Sequence, residues 1–304
     1  MLIRGQFADH FFETELPAID ATLKMSLAEN RRASVFPKIF QVKTSNRSIE
    51  QTTGITGVGQ FREIPEGGAV ESDQPVRIPS KNFTHKRFGL SIVASRDMIE
   101  DDKHEIIQDS VRGLAESEVD TREMQAASVL NDGFSVNGYD NVPLFSASHP
   151  LQYAGGTQSN LMTVAMALSH TALEEATIQM FLMVDETGKP IKFTPDMLVI
   201  PPQLMYKAKE ILGSSMRSDT ANNTTNALTA IEGGMPQQVV WRYLTSATRW
   251  FLISKKNRLI WYDRRKPYRA AWVKDETESG YTARRYRCSY GHSHYFGTFA
   301  SNAS

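Results

Sequence analysis

The chain has 304 residues, a single cysteine, and 34 acidic against 34 basic residues. That length suits one large domain or two interleaved ones with a substantial core. Zero net charge argues against a chain whose main task is to grip nucleic acid, lone Cys288 leaves no internal disulfide framework, and no apolar window approaches the ~18 residues of a membrane helix.

The opening residues, MLIRGQFADHFF, lack the apolar core and small-residue cleavage site of a signal peptide. Phe11, Phe12, Leu16, Ile19, Leu23 and Leu27 fall at helical spacing, with Pro17 near the start or at a kink. The next stretch, RRASVFPKIFQVKTS, reads as an extended arm broken by Pro37 and followed by a strand.

Residues 50–90 form a long polar segment punctuated by glycine and proline. Gly54, Gly57 and Gly59 do not have the spacing of a dinucleotide loop, and no apolar strand leads into them. Two ribbons, residues 59–63 and 76–83, are expected to pair around a tip at residues 66–69. A two-stranded ribbon is marginal in water and must lie on something else. A loop of this length without a core of its own is either functional or disordered.

The clearest element follows. Ser95 is expected to cap a short turn, then Asp102 to cap a long helix with Glu105 completing a capping box. Ile106, Ile107, Val111, Leu114, Val119, Ala126, Val129 and Leu130 form its apolar stripe, and Asn131-Asp132-Gly133 ends it. The helix is acid-rich and is expected to be exposed.

Further on, Ser169 caps a helix with Leu173, Ala176, Met180 and Phe181 inward. Met197 to Ile200 reads as a buried strand. Pro201-Pro202 starts a helix with Leu204, Ala208, Ile211 and Leu212 inward and Gly213 at its end. RWFLISKKNRLIWYD reads as two apolar strands joined by a Lys-Asn turn. The segment from Pro267 to Phe299 reads as β ribbons rich in aromatics and arginine.

Catalytic and metal chemistry find little to stand on. Cys288, His292 and His294 are ligand types, but C-x3-H-x-H is not a usual zinc spacing, and the two histidines alternate as neighbours on one strand face would. Ser146, Ser148 and His149 adjoin in LFSASHP, yet adjacency in sequence does not make a triad. No cofactor is expected. A metal-dependent hydrolase using Cys288, His292 and His294 is the alternative from a different class.

The order of elements, carried by REIPEGGAVESDQ, FTHKRFGLSIVASRDMIEDD, REMQAASVLNDGF, LFSASHP with GGTQSNL, LSHTALEEA and LVIPPQLMYKAKEILGSS, resembles the major capsid protein of tailed bacteriophages, and within it the Mu-type major head subunit family. The resemblance implies an α+β fold, the tailed-phage major capsid fold. Its expected parts are an N-terminal arm (1–49), an extended β-hairpin loop (50–90), a peripheral domain with a long spine helix (91–138), an axial α/β domain (139–265) and a C-terminal β segment returning to the peripheral domain (266–304).

It further implies self-assembly into pentamers and hexamers of an icosahedral shell around double-stranded DNA, in the host bacterial cytoplasm, with no membrane involved. Scaffold and portal are expected to be separate proteins. The loop reaches over a neighbouring subunit, with Arg62, Glu63, Glu66, Gly67, Gly68 and Lys81 as expected contacts. Some capsids of this fold cross-link the loop through a lysine; here the expected tip has none, and Lys81 and Lys86 lie on the returning strand. Bacterial nanocompartment shells share the fold and are the nearer alternative. Glu116 and Glu118 on the acidic helix and Arg284 and Arg285 in the basic C-terminal region are candidate charged contacts, with DNA contact as the rival use of the arginines.

Overall fold

The computed structural model describes residues 6–55, 61–70, 72, 74–75, 77–101, 103–151, 153–216, 225–230, 234–274 and 276–301. The N-terminal stripe is helical in three consecutive pieces: α1 (Gln6–His10), a π-helical turn (Phe11–Glu15) and α2 (Leu16–Arg32). The widened turn lies just before Pro17, which has no N–H to close an ordinary helical turn. The Leu16 amide instead donates to the Phe11 carbonyl. Phe11, Leu16, Ile19, Leu23 and Leu27 are buried, whereas Phe12, one position off the stripe, is exposed. Around Pro37 the expected extended arm is a helical turn, α3 (Phe36–Ile39), because proline suits a first turn. Strand β1 (Gln41–Thr44) follows.

The ribbon pairs differently from the expectation. Strand β2 is Ile49–Ile55, earlier than foreseen, and it runs antiparallel to β3 (Arg77–Thr84). The β-branched residues of IEQTTGI favour a strand despite Gly54. Arg62 and Glu63 are in no strand, and Gly59, Gln60 and Val76 lie outside the described residues. The tip turn is where it was expected: the Gly68 amide donates to the Pro65 carbonyl at 2.8 Å, and Gly67 takes φ +79°, open to glycine at no steric cost.

Strand β4 (Lys86–Ser95) leads into α4 (Arg96–Glu100), capped by Ser95 Oγ accepting from the Met98 amide. Then comes the long helix α5 (His104–Asn131), whose 28 residues span ~42 Å. It starts at His104, with Lys103 at the N-cap making no side-chain bond; Asp102 lies outside the described residues. Ile106 is exposed and drops out of the stripe. The helix is not a free acidic rod: Glu118 and Glu123 are buried, and Ile107, Val111, Ala115 and Val119 pack against Leu16, Ile19, Leu23 and Leu27 of α2.

Two minor strands, β5 (His149–Pro150) and β6 (Thr157–Gln158), precede α6 (His170–Phe181). Ser169 caps α6 through the Ala172 amide; Leu173, Ala176 and Met180 are buried, and Phe181 is exposed. Strand β7 (Met197–Ile200) is fully buried; a 3-10 turn from Pro202 then enters α7 (Met205–Gly213). The rest is β8 (Gln237–Val240), β9 (Phe251–Ile253), β10 (Leu259–Lys274), β11 (Ser279–His292) and β12 (Thr298–Ala300).

Among the described residues there are two four-stranded sheets, ordered β1-β10-β11-β4 and β12-β9-β7-β8. The two apolar strands of RWFLISKKNRLIWYD are β9 and β10, joined by a turn but placed in different sheets. Asp196 holds that turn, accepting from Ser254 Oγ at 3.1 Å and the Lys255 amide at 2.6 Å. The first sheet carries the helices α2 and α5 on one face. The second is sandwiched in a core containing Leu198, Ile200, Ala208, Ile211, Trp250 and Phe299. No described helix is long and apolar enough to cross a membrane.

One carboxylate ties these parts together. Glu123 accepts hydrogen bonds from the Ser34 hydroxyl, the Val35 amide (2.7 Å), the Phe36 amide (3.1 Å) and the Trp241 indole N–H (2.7 Å). It thus joins the start of α3, the middle of α5 and the end of β8. Glu123→Ala would leave four buried or part-buried donors without an acceptor, which costs about 3 kcal/mol or more. The urea midpoint of the unassembled subunit should fall accordingly; a wild-type midpoint would show that the clamp carries no stability.

The hairpin β2–β3 is anchored at its base. Phe83 is buried against Ile260 and Tyr262, its ring centroid 5.5 Å from that of Tyr262. His85 sits between the hydroxyls of Ser45 and Ser289 at 3.1 and 3.0 Å. Lys81 Nζ lies 3.3 Å from His292 Nε2 and donates to the Asn137 carbonyl at 3.4 Å. Burial foremost, then the charges of Lys81, His149 and His294, push the His292 imidazole down to about 3. Because its folded value lies below the ordinary 6.5, the unfolded chain binds a proton that the fold refuses. Stability should therefore be intact above pH ~6.5 and drain away as pH falls toward ~3. His292→Gln should remove on the order of 2 kcal/mol of the loss seen between pH 7 and 5 in urea titrations. Identical pH slopes for variant and wild type would refute this.

Candidate assembly surfaces

The loop tip, residues 61–70, stands off the body. Phe61 is fully exposed, and Ile64 and Val70 are exposed with it. Arg62, Glu63, Glu66, Gly67 and Gly68 are all exposed on this segment. Lys81 is apart from them, at the hairpin base, where it engages His292 and Asn137 and where burial lowers its ammonium from the ordinary lysine value. No lysine lies in the tip turn; Lys86 is at the start of β4.

The four charged candidates divide. Glu118 lies buried between two arginines of its own chain, 2.5 Å from Arg284 Nε and 3.0 Å from Arg31 Nη2. Arg284 is buried too, on the face of β11 that meets α5. These two are thus a bridge between spine and ribbon within one subunit. Arg122 of α5 repeats the pattern with Asp263 at 3.2 Å, and Arg269 pairs with Asp20 of α2 at 3.0 Å. Sequence alone cannot sort acids by face when a helix is flanked on two sides. Glu116 is exposed, and Arg285 lies on the opposite face of β11, its guanidinium 5.0 Å from the Trp272 ring centroid.

The residues that could have supported catalysis do not converge. Cys288 is buried, its thiol pushed up to about 12 by burial, with Gln125 Oε1 3.8 Å away. His292 faces Lys81. His294 is beyond the end of β11, 2.5 Å from the Tyr139 hydroxyl and 3.1 Å from Glu186 Oε1, so the two histidines do not share a strand face. Among the described residues no group of three ligand-type side chains is arranged to hold a metal ion. His149 has a carboxylate partner, Asp140 at 2.7 Å, but its other nitrogen faces Asn160 Oδ1 at 3.1 Å rather than a serine. This is a buried polar brace.

A family model described as phage capsid protein matches residues 79–298. No curated protein sequence matches the chain. Among solved structures it is similar to the capsid of Ralstonia phage GP4, with TM-score 0.60 and 13% identity over 89% of this chain and 91% of that one. It is also similar to a structure of Microbacterium phage Oxtober96, with TM-score 0.56 and 11% identity over 89% and 91%. A virus-like particle from Pyrococcus furiosus gives TM-score 0.52 and 10% identity over 92% and 98%. At these identities the likeness establishes the fold, the tailed-phage capsid fold. The matched region runs from within β3 to the start of β12, which includes the spine helix and most of both four-stranded sheets. The chain belongs to the phage capsid protein family: it is a structural protein that self-assembles into the shell of a phage virion, not an enzyme.

Proposed function

We propose that the chain is the major head subunit of a tailed phage, of the Mu type, forming hexamers and pentamers of an icosahedral shell around double-stranded DNA. Scaffold and portal are separate proteins in this reading, and assembly takes place in the host bacterial cytoplasm. The helices α2 and α5 with the sheet β1-β10-β11-β4 act as the peripheral domain; the sheet β12-β9-β7-β8 with α6 and α7 acts as the axial domain. The fold likeness extends also to a virus-like particle from Pyrococcus furiosus; the phage family match favours the viral reading over a nanocompartment.

The observation that carries the proposal is the loop tip. Phe61, Ile64 and Val70 are exposed together on a segment without a core of its own, at the end of a firmly anchored hairpin. Exposed apolar side chains of this kind mark interaction sites. In this reading the tip is an intersubunit strap, with Arg62, Glu63, Glu66, Gly67 and Gly68 at the contact and Lys81 fixing its base. The test replaces residues 61–70 with a short Gly-Ser link, sparing buried Phe83. The variant should keep the thermal midpoint of the wild-type subunit and form no shells in negative-stain microscopy, where wild type does. Normal shells from the variant would remove the strap; a collapsed midpoint would place the tip in the subunit's own core.

A further inference from the structure

Arg87, Arg264, Arg265, Arg285 and Arg287 line one cavity of about 90 Å³ together with Tyr268 and Tyr286. The ladder places them there. Strand β10 is bulged between Asp263 and Arg265 and again between Arg265 and Tyr268, after which Arg265 stands opposite Arg287, and Tyr268 opposite Arg285. Bulges re-aim side chains in this way. Across β11, Arg287 stands opposite Arg87, and Arg285 opposite Gly89. At Gly89 a Cβ would lie 3.0 Å from Arg285 Cγ, so the missing side chain leaves room for the guanidinium stem. On β11 the head groups of Arg284 and Tyr286 reach Glu118 and Gln125 of α5, so Arg285 and Arg287, at the alternate positions, point to the opposite side of the sheet.

What sets these five apart is the absence of a counter-charge. Arg284, Arg122 and Arg269 of the same region each meet a carboxylate. None of the five does so among the described residues. Their neighbours are carbonyls and rings: Arg264 donates to the Ser45 carbonyl at 3.4 Å, Arg287 to the His85 carbonyl at 3.5 Å, and Arg265 sits 5.3 Å from the Tyr268 ring centroid. Arg264 Nε is buried with no hydrogen-bond partner. Guanidinium groups gathered at one cavity are built for carboxylate or phosphate oxygens.

The same chain carries the complement. From Glu63 to Val76 the sequence holds Glu63, Glu66, Glu71 and Asp73 and no basic residue. Glu63 and Glu66 are exposed at the tip, with no cation partner among the described residues. A duplex would be matched by cations spread in a row along its backbone; these five converge on a single cavity, which suits a compact pair of carboxylates. We propose that the arginine cavity of one subunit receives Glu63 and Glu66 from the loop tip of a second copy of the chain. The proposal rests on the strap reading and adds its receptor.

The test is a charge swap in the full chain, using exposed side chains only: E63R/E66R, R87E/R265E, and all four together. Each double variant should lower shell yield at low salt about tenfold or more, and the fourfold variant should return to within about threefold of wild type, because each chain then supplies both inverted halves. Failure of the fourfold variant to recover, while the Gly-Ser tip variant still abolishes shells, overturns the arginine receptor and leaves the strap. Shells from the Gly-Ser variant overturn both. Wild-type assembly by R87E/R265E with reduced binding of duplex DNA assigns the arginines to nucleic acid and overturns the proposal. A readout independent of variant folding is a fluorescent peptide of residues 61–74 added to wild-type subunit below its assembly concentration. It should bind about tenfold more tightly than its E63Q/E66Q form; equal binding of the two peptides refutes the contact.

Discussion

A buried carboxylate must have its oxygens satisfied, and Glu123 meets that requirement by holding three distant pieces of chain at once. Its donors come from the Ser34–Phe36 turn, nearly ninety positions upstream, and from Trp241, more than a hundred downstream. Such a group is costly anywhere else in the fold, because leaving buried donors and acceptors unpaired costs more than pairing them gains. The register of the N-terminal helices on α5, and of α5 on the second sheet, therefore depends on this residue. The apolar core around it, with Phe36, Ala127, Trp241 and Trp261, supplies area but not a unique alignment.

The same logic explains a zero net charge that is far from evenly spread. Two acids of α5 are satisfied inside the subunit, Glu118 by ion pairs with Arg31 and Arg284, Asp120 by a hydrogen bond from the Tyr243 hydroxyl. Spine and ribbon are thus bound to each other before assembly begins. Among the described residues, charge is left unbalanced at a basic cavity on the far face of the ribbon and at an acidic, partly apolar loop tip. A subunit that satisfies its interior charges and leaves complementary ones at its periphery is suited to weak, reversible contacts, which closed shells need to correct errors of placement. Individually such exposed pairs contribute little; repeated around a shell they add up.

Much of the architecture was legible in the residues. The 3–4 spacing from Leu16 to Leu27 and from Ile107 to Leu130 located both packed helices, because their apolar stripes are uninterrupted. Ser95 and Ser169 marked helix starts by a local hydrogen bond that depends on no other part of the chain. Where tertiary partners decide, reading by pattern failed. Gly54 disguised β2 as a turn, although its ladder with β3 outweighs the glycine's preference. Strands β9 and β10 look like a hairpin from their turn, yet that turn is held by Asp196, just before β7, and the strands part into two sheets. Glu118 and Glu123 read as solvent-facing acids because their arginine and indole partners lie 87 or more positions away. The poverty of core residues in the loop tip, which motivates the proposed strap, was visible in the sequence, whereas the arginine cavity was hidden, since two bulges in β10 were needed to bring the arginines together.

The central claim is that the loop tip of one subunit is completed by the surface of another. A reconstruction of the assembled particle by electron cryomicroscopy, at a resolution that traces side chains, tests it most directly. The account predicts ordered density for residues 61–70 lying against a neighbouring subunit, with Glu63 or Glu66 within ion-pair distance of Arg87, Arg265 or Arg285 of that neighbour. A tip projecting into solvent, or folded back on its own subunit, would contradict it.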